Sequence, residues 1–455
     1  MEKNKIDINR REFIRKLGLG AGSAMALMAL EPLQSLARND IHNTQQVVKE
    51  NKMTYRVQHG SGEHISLLGF GMMRLPRDNQ ELVNKMVDYA LEHGVNYFDT
   101  AAAYGGGQNE VITGIALKRH PRDKYYIATK MSNSNPRTWS FEESKKMYER
   151  SLKNLQVDYI DYYLLHSVGG GGMDTLKGRF LDNGVLDFLM KEREAGRIRH
   201  LGFSYHGDVE VFDYLVDHND EYHWDFVQIQ MNFLDWRHAS LRQGRRVDAD
   251  AEYLYNKLEK AGIQAVIMEP FRGGALGRIT ENYKHELTSM RPNDTVAQWA
   301  FRWVGSFPNI LTTLSGMNHM EHLIENVNTH SPLEPCTNEE NILLEKIADE
   351  ISGIPLIPCT ACEYCLPCPY NVNIPLNFSF YNEALNSKKL PEVNKKAKNY
   401  KKSKKEFIDL YNKAIPAENR ATQCMDCEEC LPKCPQQIRI PNQMSRITEL
   451  LRIDK

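Results

Sequence analysis

The sequence predicts an α/β chain: a (β/α)8 TIM barrel followed by a small, mostly α-helical domain rich in cysteine. Three observations predict it. Between residue 53 and about 330, short apolar runs alternate eight times with longer helical stretches. No G-x-G-x-x-G turn follows the first run, where Gly69-x-Gly71 leads into Met72-Met73-Arg74, so a doubly wound nucleotide fold has no support. None of the nine cysteines precedes Cys336, and eight fall in two tight clusters near the C-terminus. A chain of 455 residues exceeds what one core usually holds, roughly 250–300 residues, so more than one domain is expected. Hydrophobic residues make up 41% and charged residues 25%, as in a soluble globular protein. A net charge of −2 gives no reason to expect a nucleic-acid partner.

At the N-terminus, Arg10-Arg11-Glu12-Phe13-Ile14 precedes an apolar, small-residue run from Leu17 to Leu30 and then Ser35-Leu36-Ala37. A basic region, a short apolar core and a small-residue site have the grammar of a signal peptide. The paired arginines before Phe-Ile resemble a twin-arginine signal. The expectation is a signal peptide over 1–37, a polar linker over 38–52, and export to the periplasm. A basic amphipathic helix that is not cleaved is the alternative, leaving the protein cytoplasmic or membrane-anchored. The apolar run is too short for a comfortable membrane span, so none is expected in the mature chain.

The barrel is assigned to residues 53–335. Its expected strands are Leu67–Gly71, Val95–Asp99, Tyr125–Lys130, Ile160–His166, Ile198–Ser204, Phe226–Met231, Ala265–Glu269 and Ile310–Ser315. The helical stretches are 79–93, 108–119, 141–155, 184–195, 208–218, 248–261, 294–304 and 319–329, and 53–64 reads as a hairpin closing the barrel floor. The glycine runs Gly105–Gly107 and Gly169–Gly172 read as loose connections or lids, and Phe203, Phe233, Trp236 and Phe271 as pocket-lining aromatics.

In a TIM barrel, chemistry sits at the C-terminal ends of the strands. Asp99 ends the second strand, Tyr104 follows in its loop, Lys130 ends the third and His166 the fourth. In type, order and placement these four resemble the tetrad of the aldo/keto reductase family, over roughly residues 54–330. The resemblance implies interconversion of a small-molecule carbonyl and alcohol with a nicotinamide cofactor. Tyr104 would exchange the proton. Lys130 would lower the phenol's pKa from its usual value of about 10, and Asp99 would hold Lys130. His166 would orient and polarise the carbonyl.

The same resemblance implies that Ser204 and Gln228 touch the carboxamide and that Met268 packs on the nicotinamide ring. It further implies that Glu325 and Asn326 contact the far end of the dinucleotide. Two departures stand out. The family's Ser-Asn pair reads Ser204-Tyr205 here, and no Lys or Arg lies between Ser315 and Asn326 to hold a 2′-phosphate, so NADP and NAD both remain open.

The tail, assigned to 336–455, carries Cys359-x2-Cys362-x2-Cys365-x2-Cys368-Pro369 and Cys424-x2-Cys427-x2-Cys430-x3-Cys434-Pro435. Ile374-Pro375 and Ile440-Pro441 follow at equal offsets, so the segment is an internal duplication of the bacterial ferredoxin type. Two 4Fe-4S clusters are expected, with zinc as the rival for paired C-x2-C units. By the rule for two-cluster ferredoxins, Cys434 joins Cys359, Cys362 and Cys365, while Cys368 joins Cys424, Cys427 and Cys430. The 55 residues between the runs read as helical over 378–385 and 406–413, which resembles an α-helical ferredoxin. Their lysines, Lys388, Lys389, Lys395, Lys396, Lys398, Lys401, Lys402, Lys404 and Lys405, read as a solvated face or a patch for an acidic electron partner. Cys336 reads as an inert thiol.

Barrel and tail together predict an oxidoreductase coupled to clusters. An electron-transfer protein with an inactive barrel and a dinucleotide-binding protein without turnover are the alternatives.

Overall fold

The computed structural model describes residues 53–239, 249–353, 356–391 and 398–452. The expected signal peptide and linker lie outside the described residues. β1 (Tyr55–Val57) and β2 (His64–Ser66) form the expected antiparallel hairpin. Eight parallel strands then close a barrel: β3 (Leu68–Gly71), β4 (Tyr97–Asp99), β5 (Tyr126–Met131), β6 (Ile160–Val168), β7 (Ile198–Tyr205), β8 (Phe226–Gln230), β9 (Gln264–Met268) and β10 (Ile310–Ser315). They lie in sequence order, and β10 pairs with both β9 and β3 to complete the ring.

Strand pleating sorts these residues into two layers. On β6, Tyr162 and Leu164 point into the barrel with Tyr97, Ala128, Phe226 and Val266. The alternate residues Tyr163 and Leu165 point outward and pack under the helices with Leu189, Phe212 and Trp299. Helices Phe141–Leu155, Val185–Glu194, Val209–Asp217 and Ala251–Lys260 turn apolar side chains to this outer layer, and helix Val296–Gly305 is started by a capping box between Thr295 and Gln298.

Three expectations change. Helix Asn338–Ser352 belongs to the barrel, not to a tail beginning at residue 336: Leu344, Ile347, Ala348 and Ile351 are buried in the barrel's outer core. Arg302 Nη2 also holds Glu340 at 3.1 Å. The glycine runs are tight turns. Gly105, Gly106 and Gly107 have φ of 58°, 65° and 91°, and Gly107 caps helix Gln108–Leu117. Of the four aromatics expected to line a pocket, Phe271 alone borders the cleft at the C-terminal ends of the strands. Phe203 packs on Phe212 and Trp224. Phe233 and Trp236 face a separate groove with Trp303 and Phe307.

The tail folds around helices Ile374–Asn386, Tyr400–Ala414 and Ile440–Leu451, whose Phe378, Tyr381, Tyr411, Met444 and Ile447 form a second small core. Pro375 and Pro441 each sit in the first turn of a helix, where a missing N–H costs nothing. Lys401, Lys402 and Lys405 are exposed, whereas Lys404 is buried with its Nζ 3.1 Å from the Tyr400 hydroxyl. Lys395 and Lys396 lie outside the described residues. Cys336 is half-buried, and burial raises its thiol pKa to about 11.

Candidate active site and cysteine centres

Asp99, Lys130 and His166 sit on inward-facing positions of three adjacent strands, because the pleat that buries Tyr97, Ala128 and Leu164 carries every second residue to the same side. Tyr104 reaches them from the turn after β4. All four line one cleft of about 410 Å³ at the C-terminal ends of the strands, together with Ser204, Gln228, Met268, Glu325 and Asn326.

Lys130 Nζ lies 2.6 Å from Asp99 Oδ1 and donates to the Thr100 carbonyl at 2.7 Å. It stands 5.1 Å from the Tyr104 ring centre. Burial pushes Lys130 below its ordinary pKa, opposed by Asp99. The expected acidification of Tyr104 is not what the site produces. Its pKa lies well above 10, chiefly through burial, with Tyr364, Asp99 and Glu269 pushing the same way. The ammonium is already committed to Asp99, so its field at the phenol is largely cancelled.

His166 is 8% exposed, with its ring 5.7 Å from that of Tyr104 and its Nδ1 2.7 Å from Ser132 Oγ. Burial, then Lys130 and Arg179, hold its pKa well below 6.5, so the ring is neutral. Arg179, which sequence reasoning passed over, donates to the His166 carbonyl at 2.6 Å and to Asn133 Oδ1 at 3.2 Å. Its burial, at 4% exposure, is visible only once the chain is folded, so residue type and spacing gave no signal for it.

The cofactor-side residues fall into two groups. Ser204 Oγ accepts from the Ser167 N–H at 2.8 Å and so braces β6 against β7. Gln228 is 2% exposed, and its Oε1 has no hydrogen-bond partner among the described residues. A buried acceptor without a donor costs about 1–3 kcal/mol, and the amide of a nicotinamide would satisfy it. Asn326 Nδ2 donates to Ser315 Oγ at 2.9 Å, and Glu325 accepts from the Thr295 hydroxyl. Tyr205 falls on the outward register of β7 against Phe212, and His206 lines the cleft instead. A cation does reach the β10 loop, from another quarter: Arg74, beyond β3, lies across Gly316, and both line the cleft. Its guanidinium donates to the carbonyls of Thr360 at 2.7 Å and Ala361 at 3.1 Å.

Those two carbonyls belong to the first cysteine run. Cys359, Cys362, Cys365 and Cys434 border one cavity; Cys368, Cys424, Cys427 and Cys430 border a second, with Cys365 touching both. The two runs fold alike. Left-handed residues recur two and four positions after the first cysteine, Ala361 and Glu363 in one and Asp426 and Glu428 in the other. Another recurs three positions after the last, Asn371 and Gln437. The Ala361 N–H donates to Cys359 Sγ at 3.4 Å. Four thiols around a cavity, with a backbone N–H turned to one of them, suit an anionic iron–sulfur cubane. Among the described residues, no three His, Cys, Asp or Glu side chains close on a point that would hold a single ion.

The comparisons agree with this geometry. The model of the Aldo/keto reductase family matches residues 67–349, and that of the 4Fe-4S dicluster domain matches residues 358–438. L-galactose dehydrogenase of Arabidopsis thaliana is 24% identical over 319 residues, covering 65% of this chain and 93% of that protein. Probable aldo-keto reductase 1 of Glycine max is 36% identical over 155 residues, 31% of this chain and less than half, 42%, of its own length. In fold, the chain resembles the holo form of an aldo-keto reductase from Bacillus halodurans, with a TM-score of 0.53, 24% identity, and coverage of 65% of this chain and 96% of that one. The chain is therefore a member of the aldo/keto reductase family that carries a 4Fe-4S dicluster domain after its barrel.

Proposed function

We propose that this protein interconverts a small-molecule carbonyl and an alcohol with a nicotinamide cofactor, and that its tail holds two 4Fe-4S clusters coupled to that reaction. The observation that carries the reading is the convergence of Asp99, Tyr104, Lys130 and His166 on the cleft that also contains the unpartnered Gln228 Oε1. The nicotinamide supplies or accepts the hydride. The chain's own residues handle the proton and the orientation.

Tyr104 stays protonated in the resting site because burial disfavours its phenolate. That makes it a loaded proton donor. A carbonyl oxygen that gains negative charge during reduction becomes alkoxide-like, and an alkoxide is a stronger base than a phenolate, so the phenol need not be acidified in advance. Lys130 then stabilises the phenolate left behind, and Asp99 keeps Lys130 in place. If the Ser132 hydroxyl donates to His166 Nδ1, the ring proton sits on Nε2, and His166 can donate to the carbonyl oxygen while staying neutral.

Fluorescence titration with NADPH and NADH tests the cofactor, with saturable binding of at least one expected. Tyr104→Phe should lower kcat by about a thousandfold and leave that binding intact. Activity surviving the change rules out Tyr104 as the proton donor. Export by the twin-arginine route belongs to the same reading, because that route carries folded, cofactor-loaded proteins. It rests on Arg10-Arg11 and the apolar run that follows. Replacing both arginines by lysine should leave the protein in the cytoplasm.

A further inference from the structure

We propose that Tyr364 of the cysteine segment is a positioning residue of the barrel's active site: its hydroxyl holds the Tyr104 phenol from across the cleft, so the cluster loop is a wall of the substrate pocket. The inference rests on Tyr104 being the proton donor.

Tyr364 lies between Cys362 and Cys365, in a loop shaped by the duplicated backbone pattern described above. Wrapping a cluster requires no aromatic there, since the matching position of the second run is Glu429, which is exposed. Tyr364 differs from its counterpart in what it faces. Its ring centre is 6.4 Å from that of Tyr104, inclined at 31°, so the two phenols stand side by side in the same cleft. Thr360, Cys362, Tyr364, Pro435 and Gln436 all line the cleft that holds Lys130 and His166.

The loop is seated there by fitted contacts. Arg74 grips two of its carbonyls. Gln436 Nε2 meets Gln230 Oε1 at 3.0 Å, where β8 ends. Gly273, with φ of 60°, lies so close to Thr360 that a Cβ would come within 2.1 Å of the Thr360 carbonyl oxygen. A barrel residue that must be glycine to admit the cysteine loop marks a permanent wall.

A tyrosine hydroxyl both donates and accepts, so the pair can exchange roles by rotation. In the resting site, Tyr364 fixes where the Tyr104 proton points. During reduction the carbonyl oxygen takes the Tyr104 proton and the carbonyl carbon takes the hydride that the nicotinamide supplies. Tyr364 keeps its own proton and turns it toward the phenolate oxygen that remains. Its loss therefore weakens the proton-transfer step and spares ground-state binding.

The test uses the cluster-loaded full chain with NADPH and 4-nitrobenzaldehyde, a small reactive carbonyl. Tyr364→Phe keeps the ring and removes the hydroxyl. Iron content and NADPH affinity should match the parent, and KM should change little, while kcat falls about tenfold to a hundredfold. In a Tyr104→Phe background, Tyr364→Phe should have no further effect, as expected of a residue acting through Tyr104. Tyr364→Ala opens the wall, and iodide should quench bound NADPH several times more strongly than in the parent or in Tyr364→Phe. An unchanged kcat in Tyr364→Phe overturns the role of the hydroxyl, and unchanged iodide access in Tyr364→Ala overturns the wall. If instead Tyr104→Phe keeps full activity, it is the reductase reading that fails, whatever Tyr364 does.

Discussion

His200 shows how one side chain can tie the barrel floor to pH. It lies on β7 at the end opposite the cleft, 2.8 Å from Glu63 of the hairpin loop and 3.7 Å from Asp225, and it stacks on Tyr162 at 4.6 Å. Burial alone would lower its pKa, but the carboxylates of Asp225 and Glu63, the latter in a hydrogen bond, outweigh it and raise the group from 6.5 to about 9. A raised folded-state pKa means that the gain is complete below the unfolded value and is lost as pH climbs through the folded one. Stability should therefore fall between pH 6.5 and 9 by up to about 3 kcal/mol from this group. His200→Gln should flatten that slope in urea unfolding curves taken across the range. Equal slopes in parent and variant would remove His200 as the cause. At the opposite end of the barrel, burial holds Tyr104 and His166 in their neutral forms, as the proposed proton transfer from Tyr104 requires.

At the level of elements, helix Asn338–Ser352 joins barrel to tail. Thr337 and Glu340 start it with a capping box. Glu340 also takes Arg302 at 3.1 Å and Arg291 more closely, and it is only 4% exposed. Removing Glu340 strands the buried Arg302 guanidinium, whose side chain is 4% exposed. Glu340→Ala should destabilise the protein by about 3–5 kcal/mol, seen as a lower thermal midpoint, whereas Thr337→Ala should cost about 1 kcal/mol. The element matters because the cysteine loop begins soon after it. Local sequence identified most helix-forming stretches of the barrel, the clearest being those with a continuous apolar stripe such as Phe141–Leu155 and Ala251–Lys260. It passed over Glu281–Met290, where Leu287 is the single buried residue. It missed Asn338–Ser352 as part of the barrel, because a stripe shows that a face will be buried without showing against what.

For the molecule as a whole, the two cysteine runs behave as one interlocked unit. Anaerobically prepared protein should contain roughly eight irons per chain and show a broad visible charge-transfer band. Because Cys434 shares a cavity with Cys359, Cys434→Ala and Cys359→Ala should erase the same cluster and leave the same residual paramagnetic signal. Cys368→Ala and Cys424→Ala should erase the other. If Cys434→Ala instead matches Cys424→Ala, each run binds its own cluster and the crossing is wrong. Zinc without iron would end the iron–sulfur assignment. The two centres also differ in setting: Cys362 lines the catalytic cleft, while Cys427 is exposed. The first is thus placed to feel the barrel's ligands and the second to meet solvent or a partner.

The sequence alone determined what depends on local periodicity and spacing. Asp99, Lys130 and His166 could be read as a group because each ends a strand and shares the inward phase of its pleat, and the two thiol sets could be read because a fixed chain spacing wraps a fixed cluster. Only the tertiary structure decided what depends on contacts between distant segments. Tyr104 and Tyr364 are 260 positions apart, yet their rings stand 6.4 Å apart. Arg74 is 242 positions from Gly316, yet its side chain lies across that glycine of the β10 loop. The sign of the shift at Tyr104 was likewise undecidable from residue types, since it is set by how much water the fold excludes and by Asp99 having already engaged the neighbouring ammonium.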